Sequence, residues 1–176
     1  MIHKLIQENT FEKARREINK KTSEEKLINK TRKGGSEPLS EPLGGDVRTK
    51  EIIFSSNDDE LNRKVLEKLP INILLINQSH RKDRQKQRDS GFNQVMVKIA
   101  EKNKVTIGIN FDEIIESSLE TKKKILARIK QNIKLCNKNK LKMKFIAQNP
   151  KNQRNIYDLK SLGLILGMPT WMTREL

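Results

Sequence analysis

The sequence has 176 residues, which is enough for one ordinary domain. Its 37 lysine and arginine residues outnumber its 22 aspartate and glutamate residues, and the resulting formal net charge of +15 favours a polyanionic partner. Aromatic residues make up only 4% of the chain, so a sheet surface that stacks several unpaired bases on aromatic rings is not expected. Contacts with phosphates are the expected mode of binding.

The cysteine content and the hydropathy pattern indicate the compartment. The single cysteine, Cys136, excludes an internal disulfide framework and a thiolate metal cluster built from this chain alone, and it fits a reducing environment. No apolar run approaches the roughly 20 residues of a membrane span, and the first residues lack the apolar stretch of a secretory signal. We therefore expect a cytoplasmic protein with no membrane partner.

Residues 1–47 differ in character from the rest of the chain. Up to Lys30 the segment is polar and charged, and its apolar residues hold no sustained period, which indicates weak helix or disorder. Two tandem Ser-Glu-Pro-Leu repeats then span residues 36–43 between glycine pairs, a composition typical of a linker. We predict a low-complexity tail and linker over residues 1–47 and a folded domain over residues 48–176.

The folded part begins with a strand, a helix and a second strand. A short apolar run at Ile52–Phe54 predicts the first strand, and Asn57–Glu60 has the spacing of a capping box that opens a helix. Pro70 ends this helix. The nearly unbroken apolar segment Ile71–Ile76 then predicts a strand that is covered on both faces, as in a parallel sheet.

The same cycle continues along the chain. Apolar residues recur at helical spacing over Phe92–Ala100, and a strand is predicted at Val105–Ile109. A second capping-box spacing at Ser117–Glu120 opens a helix that runs to Cys136, and it is followed by a predicted strand at Met143–Ala147. This alternation predicts an α/β fold with a parallel layer or barrel.

One more helix is predicted near the end of the chain. It begins at Asn155 and ends before Gly167, where glycine and a following proline are typical of a helix terminus. The spacing predicts that its inward face consists of Ile156, Leu159, Leu162 and Ile165.

The sequence offers little support for a metal site or a nucleophile. His3 and His80 are the only histidines, and they lie on either side of the predicted linker. The acids mostly occupy helix starts, such as Glu60 and Glu120, where the helix dipole explains them. Cys136 falls on an apolar helix face, as a small buried hydrophobe does, and no P-loop, dinucleotide or hydrolase motif occurs. We predict no catalytic residues and no metal ligands.

The basic segments are more informative. The loop Gln78–Arg88 carries five basic side chains against one acid and lies between a buried strand and a helix start. Ligands bind at that carboxyl edge of the sheet in parallel α/β folds, although a solvated, flexible loop is an equal alternative on charge alone. A second basic stretch runs from Lys122 through Arg128 to Lys144 along the predicted polar side of a helix, where exposed lysines are common in any protein.

Several segments of the chain, in the same order and spacing, resemble successive blocks of one known family. They are Asp58–Glu67 with Ile73–Ile76, Asp89–Ala100, Val105–Ile115, Arg128–Cys136, and Tyr157–Leu162 with Leu166–Met168. The block from Ser90 to Asn110 is the most specific, because it joins a helix start, a core stripe and a strand in one register. Over roughly residues 48–170 the chain resembles the archaeal-type protein component 3 of ribonuclease P.

The resemblance implies a TIM-like (PHP-like) α/β barrel that has no catalytic residues. It implies a subunit that pairs with protein component 2 and other ribonuclease P proteins and helps the ribonuclease P RNA remove 5′ leaders from precursor tRNA. No cofactor is expected on the chain itself, and magnesium would enter the holoenzyme through its RNA.

The N-terminal residues depart from the family pattern. Family members usually begin with further strand and helix units, whereas residues 1–50 show no convincing strand. Either the barrel is abbreviated at its N-terminal end and a partner covers its open edge, or these residues form degenerate elements.

We predict that the RNA interface lies on the basic loop and the helix start beside it. Its basic members would contact phosphates, and its polar members would contact RNA or the protein partner: Arg81, Lys82, Arg84, Lys86 and Arg88, with Ser90, Asn93 and Gln94. Two other classes stay open. A metal-dependent barrel phosphoesterase or nuclease would cleave precursor tRNA without an RNA subunit. A general basic RNA-binding protein would explain the charge but not the strand and helix alternation.

Overall fold

The computed structural model describes residues 4–33, 51–85 and 88–176, and five strands form one parallel sheet in it. The strands follow each other in the sheet as they do in the chain: β1 Lys4–Gln7, β2 Ile52–Ser55, β3 Ile73–Ile76, β4 Thr106–Asn110 and β5 Met143–Ile146. A helix lies between each consecutive pair, because parallel neighbours need a crossover connection. The predicted α/β class is confirmed, and the four predicted strands lie within two residues of their expected bounds.

Helices account for most of the remaining described residues. They are α1 Phe11–Lys33, α2 Asp59–Lys68, α3 Gln94–Lys102, α4 Phe111–Glu116, α5 Leu119–Lys138, α6 Ile156–Leu166 and α7 Thr170–Arg174, and a short 3-10 turn covers Pro150–Asn152. α4 and α7 were not predicted, since helices of six and five residues are too short for a period of 3.6 to be visible in the sequence. None of the described helices has the length and apolar character that a bilayer crossing requires.

Two predicted caps are displaced by one residue. Asp58, and not Asn57, caps α2, where its side chain accepts the backbone N–H of Glu60. Ser118, and not Ser117, caps α5, where its hydroxyl oxygen accepts the backbone N–H of Thr121. Adjacent residues that can both cap a helix leave this choice to the surrounding packing.

Of the two alternatives for residues 1–50, the structure supports the second, because these residues contribute a strand and a helix that the sequence pattern does not show. β1 pairs in parallel with β2 over four residues, with Ile6 opposite Phe54. Ala14 and Ile18 of α1 are fully buried in the main core. Phe11, Ala14 and Ile18 stand at positions i, i+3 and i+7, a helical stripe that becomes visible only when alanine counts as apolar. The predicted linker repeats lie outside the described residues.

Both faces of the sheet are covered by apolar side chains. One face, which includes Phe54, Leu74 and Ile107, packs against the helices in the main core. The opposite face holds a smaller cluster that includes Ile53 and Leu75. Burial on both sides accounts for the nearly unbroken apolar runs of these strands.

An ion pair bridges two non-adjacent strands on one face of the sheet. β2 and β5 are separated by β3 and β4, so three spacings of about 4.8 Å, or about 14 Å, lie between them in a flat sheet. An ion pair of 3.1 Å joins Nζ of Lys144 in β5 to Oε1 of Glu51, the residue before β2, and two extended side chains can span this width. Gly108 of β4 is the register partner of Lys144, and a Cβ there would lie 3.0 Å from Cδ1 and 3.2 Å from Cα of Leu75. A glycine at this position therefore leaves room for Leu75 of the neighbouring strand β3.

The predicted inward face of α6 is partly wrong. Ile165 is 75% exposed and Ile156 is 40% exposed, whereas Gly163 and Leu166 are buried. A Cβ at Gly163 would lie 3.0 Å from the sulfur of Met168, so this glycine lets the chain after the helix return onto it. The buried side of α6 therefore consists of Gly163 and Leu166, with Leu159 and Leu162 partly buried beside them.

Replacing Ile18 by alanine tests whether α1 belongs to the folded core. Ile18 is fully buried, so the lost contacts and the cavity should lower the free energy of unfolding by about 2–5 kcal/mol. Chemical denaturation followed by circular dichroism measures this change. Lys20→Ala, at an exposed position of the same helix, is the control and should change it little. Equal stability of the two variants would mean that α1 adds nothing to the core.

Candidate nucleic-acid interface

A chain of amide side chains joins the carboxyl ends of three strands. Asn110, the last residue of β4, donates from Nδ2 to Oδ1 of Asn77 at 3.0 Å. Asn77, which follows β3, donates from Nδ2 to Oδ1 of Asn57, which follows β2, at 3.2 Å. Neutral donors and acceptors therefore satisfy each other at the edge where ligands bind in parallel α/β folds.

The acids of α4 hold loops at the same edge. Glu113 accepts the backbone N–H of Gln78 and the hydroxyl of Ser79, both at 2.7 Å. Asp112 accepts the backbone N–H of Gln148 at 2.7 Å. In the part of the chain that the structure describes, no three His, Cys, Asp or Glu side chains are grouped so that they could hold a metal ion. The carboxylates at this edge hold backbone N–H groups of the loops in position.

Arg128 fixes the path of the basic loop that follows β3. Its predicted position on the polar side of α5 is wrong, because the residue is only 1% exposed. Its Nη1 donates to the carbonyl oxygen of Gln78 at 2.7 Å, and its Nη2 donates to that of Arg81 at 2.9 Å. Its Nε donates to Oδ1 of Asp83 at 2.9 Å. One buried guanidinium thus anchors the loop at three points.

The spacing of α5 contains a signal for this burial. Ile125 and Ile129 lie in the apolar stripe, and Arg128 stands three residues after the first and directly before the second. A basic residue inside a buried stripe requires acceptors, since unpaired buried charges are very costly. The spacing therefore indicates a buried partner, but it does not indicate which loop supplies it.

Asp83 is electrostatically coupled to this anchor. The hydrogen bond from Arg128 lowers the pKa of Asp83, although burial acts in the opposite direction. The backbone N–H of Asp89, at 3.0 Å from Oδ1, and the charge of Arg88 also lower this pKa. Asp83 is therefore ionised at neutral pH. Because it accepts the backbone N–H of Asp89, it also ties the end of the loop to its middle.

Arg81 is the second basic side chain that the fold itself engages. Its Nη2 and Nη1 donate to the two carboxylate oxygens of Asp59 at 2.6 and 2.8 Å, and its Nε donates to the carbonyl oxygen of Asn77 at 2.7 Å. Burial acts to lower the pKa of Arg81, but the hydrogen bonds and charges of Asp59 and Asp89 raise it overall. All three guanidinium nitrogens have protein acceptors, so Arg81 holds the loop in place.

Gly91 makes the position of Arg81 sterically accessible. Its φ is +65°, and a Cβ there would lie 2.0 Å from Cζ of Arg81. Only glycine combines this left-handed backbone with room for the guanidinium.

The other predicted basic residues differ from Arg81 in their surroundings. Lys82, Arg84 and Arg88 are exposed, and none of them forms a salt bridge with a residue that the structure describes. Lys86 lies outside the described residues. The exposed charges thus sit on a loop whose course is fixed by the two engaged arginines.

The three predicted polar residues at the start of α3 differ in their burial and in their contacts. Ser90 is buried, and its hydroxyl donates to the carbonyl oxygen of Phe92 at 3.3 Å. Asn93 caps α3, where Oδ1 accepts the backbone N–H groups of Val95 and Met96. Gln94 is exposed, and its Nε2 donates to Oδ1 of Asn139 at 3.4 Å.

The lysines of α5 form a separate exposed surface. Lys130, Lys134 and Lys138 lie on its solvent side, as their spacing predicts. Lys123 pairs with Glu120 at 2.9 Å, and both side chains are largely exposed, so this pair adds little stability.

Comparison with known proteins identifies the family of this fold. The family model described as RNase P subunit p30 matches residues 51–175. The chain belongs to this family. The predicted resemblance to a ribonuclease P protein is thereby confirmed, and the matched range includes β2 to β5 and the whole basic loop. A search of the curated proteins gave no match.

A solved structure shares the fold of this RNase P subunit p30 family member. It is a chain of the cryo-EM structure of archaeal ribonuclease P with mature tRNA, at a TM-score of 0.59 and 18% sequence identity. The alignment covers 99% of this chain and 77% of that chain. At this identity the likeness concerns the fold alone, and it extends over N-terminal residues that the family model does not match.

Replacing Arg128 by methionine should loosen the basic loop of this RNase P family member. Two backbone carbonyl groups would lose buried donors and Asp83 would lose its partner, so the free energy of unfolding should fall by about 2–5 kcal/mol. Chemical denaturation measures this change, and limited proteolysis reports the opening of the loop. Lys130→Met, at an exposed position of the same helix, is the control. A variant as stable and as protease-resistant as the wild type would show that the loop does not need this anchor.

Proposed function

We propose that this chain is a noncatalytic protein subunit of ribonuclease P, which supports the catalytic RNA in removing 5′ leaders from precursor tRNA. The observation that carries the proposal is the match to the RNase P subunit p30 family over residues 51–175. The net charge of +15 supports it, because the partner in such an assembly is a polyanion.

The mechanism that we propose is the presentation of fixed positive charges to RNA phosphates. Lys82, Arg84 and Arg88 project from a loop that Arg81 and Arg128 hold in one course. A loop that is already ordered loses less conformational entropy on binding than a mobile one. Lys86, whose sequence position lies between these residues, would add a further phosphate contact.

The proposed partners are the ribonuclease P RNA, protein component 2 and the other ribonuclease P proteins, and precursor tRNA in the cytoplasm. The chain would bring no cofactor of its own, and magnesium would enter through the RNA. This is supported by the engagement of the α4 acids with backbone N–H groups. It is also supported by Cys136, because burial raises the pKa of its thiol to about 12 and keeps it protonated.

Reconstitution of precursor-tRNA cleavage tests the proposal. We expect the chain to stimulate cleavage when it is added to the ribonuclease P RNA and the component 2 protein in magnesium, and to cleave nothing by itself. The rate of 5′-leader release measures both results. Cleavage by the chain without RNA would favour the metal-dependent phosphoesterase, and an RNA–protein mixture unaffected by the chain would contradict the subunit role.

The variant K82A/R84A/R88A tests the role of the basic loop. Each lost phosphate contact should reduce the steepness of log affinity against log salt by about 0.7–0.9, because fewer counterions are released on binding. Filter binding of the ribonuclease P RNA over a salt series measures this slope. The matched control K130A/K134A/K138A removes the same charge from the exposed side of α5. Equal loss in both variants would assign the effect to net charge and not to the loop.

A further inference from the structure

A pocket opens beside the basic loop, between the first turns of α2 and α3. Its volume is about 390 Å³, which lies within the range of sites for small molecules, about 300–1,000 Å³. Arg63 of α2 lines one side, Arg84 and Arg88 of the loop line another, and Gln131 of α5 completes the wall. The sequence analysis did not single out Arg63, because the pocket forms only when α2 packs beside the loop.

The acidic and the basic side chains around this pocket differ in whether they have a salt-bridge partner. Each of its three lining carboxylates has a basic partner: Arg81 binds Asp59 at 2.6 Å and Asp89 at 3.4 Å, and Nζ of Lys64 lies 3.8 Å from Glu60. Arg63, Arg84 and Arg88 have no salt bridge to any residue within the described ranges, and all three are exposed. The acids of the pocket are thus already paired, while the donors of its three outer arginines are free to bind an anion.

The start of α3 adds to the attraction for an anion. The first turn of α3 contains no acid, and the positive end of its dipole faces the pocket through Asn93. Oδ1 of Asn93 is used as the helix cap, which leaves Nδ2 available as a donor.

The floor of the pocket is apolar. Phe92 and Met96 line it, and they are 4% and 2% exposed. The rest of the chain already covers these two side chains, so a ligand would contact chiefly the exposed arginines of the lining. A pocket of this volume has room for more than a phosphate. Guanidinium planes also stack on bases, so the arginines can contact both parts of a nucleotide. The low aromatic content argues against a platform for several bases and allows one such pocket.

We propose that this pocket receives one unpaired nucleotide of an RNA, held by Arg63, Arg84 and Arg88 through hydrogen bonds to its phosphate and stacking of a guanidinium plane on its base. A nucleotide within a duplex cannot enter a recess of this kind, because its base is stacked and paired. The ligand is therefore a bulge, loop or strand end. The inference rests on the proposed function, since it specifies what part of an RNA the basic loop recognises.

Two RNA hairpins that differ only by one bulged nucleotide test the proposal on the full chain at fixed salt. Stacking of one base and its phosphate contact should make the bulged hairpin bind about tenfold more tightly, as measured by fluorescence anisotropy. Arg63→Ala should abolish this preference, and it should weaken binding of the paired hairpin no more than Lys64→Ala does, which removes the same charge from the adjacent position. Lys64 does not line the pocket, and its pair with Glu60 is exposed and weak, so Lys64→Ala should retain the preference.

The outcomes separate this inference from the function on which it rests. Equal, salt-sensitive binding of both hairpins by the wild-type chain would overturn the pocket and leave the phosphate-binding loop intact. Binding of neither hairpin would overturn both. A preference that Arg63→Ala and Lys64→Ala reduce alike would also overturn the pocket, because the effect would then follow the charge of α2 and not the side chain that lines the recess.

Discussion

The buried guanidinium of Arg128 is the interaction on which the functional side of this molecule depends. A charge with 1% exposure is tolerable only when acceptors surround it, and here the acceptors belong to Gln78, Arg81 and Asp83 of one loop. The charge can be satisfied only while the loop follows this one course. A segment rich in like charges, which would repel itself and extend, is thereby given a defined shape.

The basic side chains of the loop and of α5 have two tasks. Arg81 and Arg128 donate hydrogen bonds to carboxylates and carbonyl groups of the protein. Lys82, Arg84 and Arg88 are exposed. The acids follow a similar division, because Glu113 and Asp112 of α4 bind backbone N–H groups at the edge where a barrel enzyme would place its chemistry. The edge is built to hold loops in position, which suits a protein that supports the catalysis of an RNA.

The order of the strands brings these loops together. Lys144 and Glu51 meet at 3.1 Å on one face of the sheet although two strands lie between β5 and β2. β2, β3 and β4 are neighbours in one parallel sheet, so the loops that follow them lie side by side at its carboxyl edge. Their side chains come within hydrogen-bonding distance, as in the amide chain from Asn57 through Asn77 to Asn110.

The sequence by itself determined the alternation of strands and helices from residue 52 onward, the family, and the existence of a basic loop at the carboxyl edge, because these follow from local apolar periods, turn residues and charge counts. Tertiary structure decided the rest. A four-residue strand such as β1 has no period of its own and is defined by its pairing with β2. The burial of Arg128, the pairing of Arg81 with Asp59 and the pocket beside Arg63 depend on which segments meet in space, and contacts over 22 to 50 residues of sequence leave no local pattern.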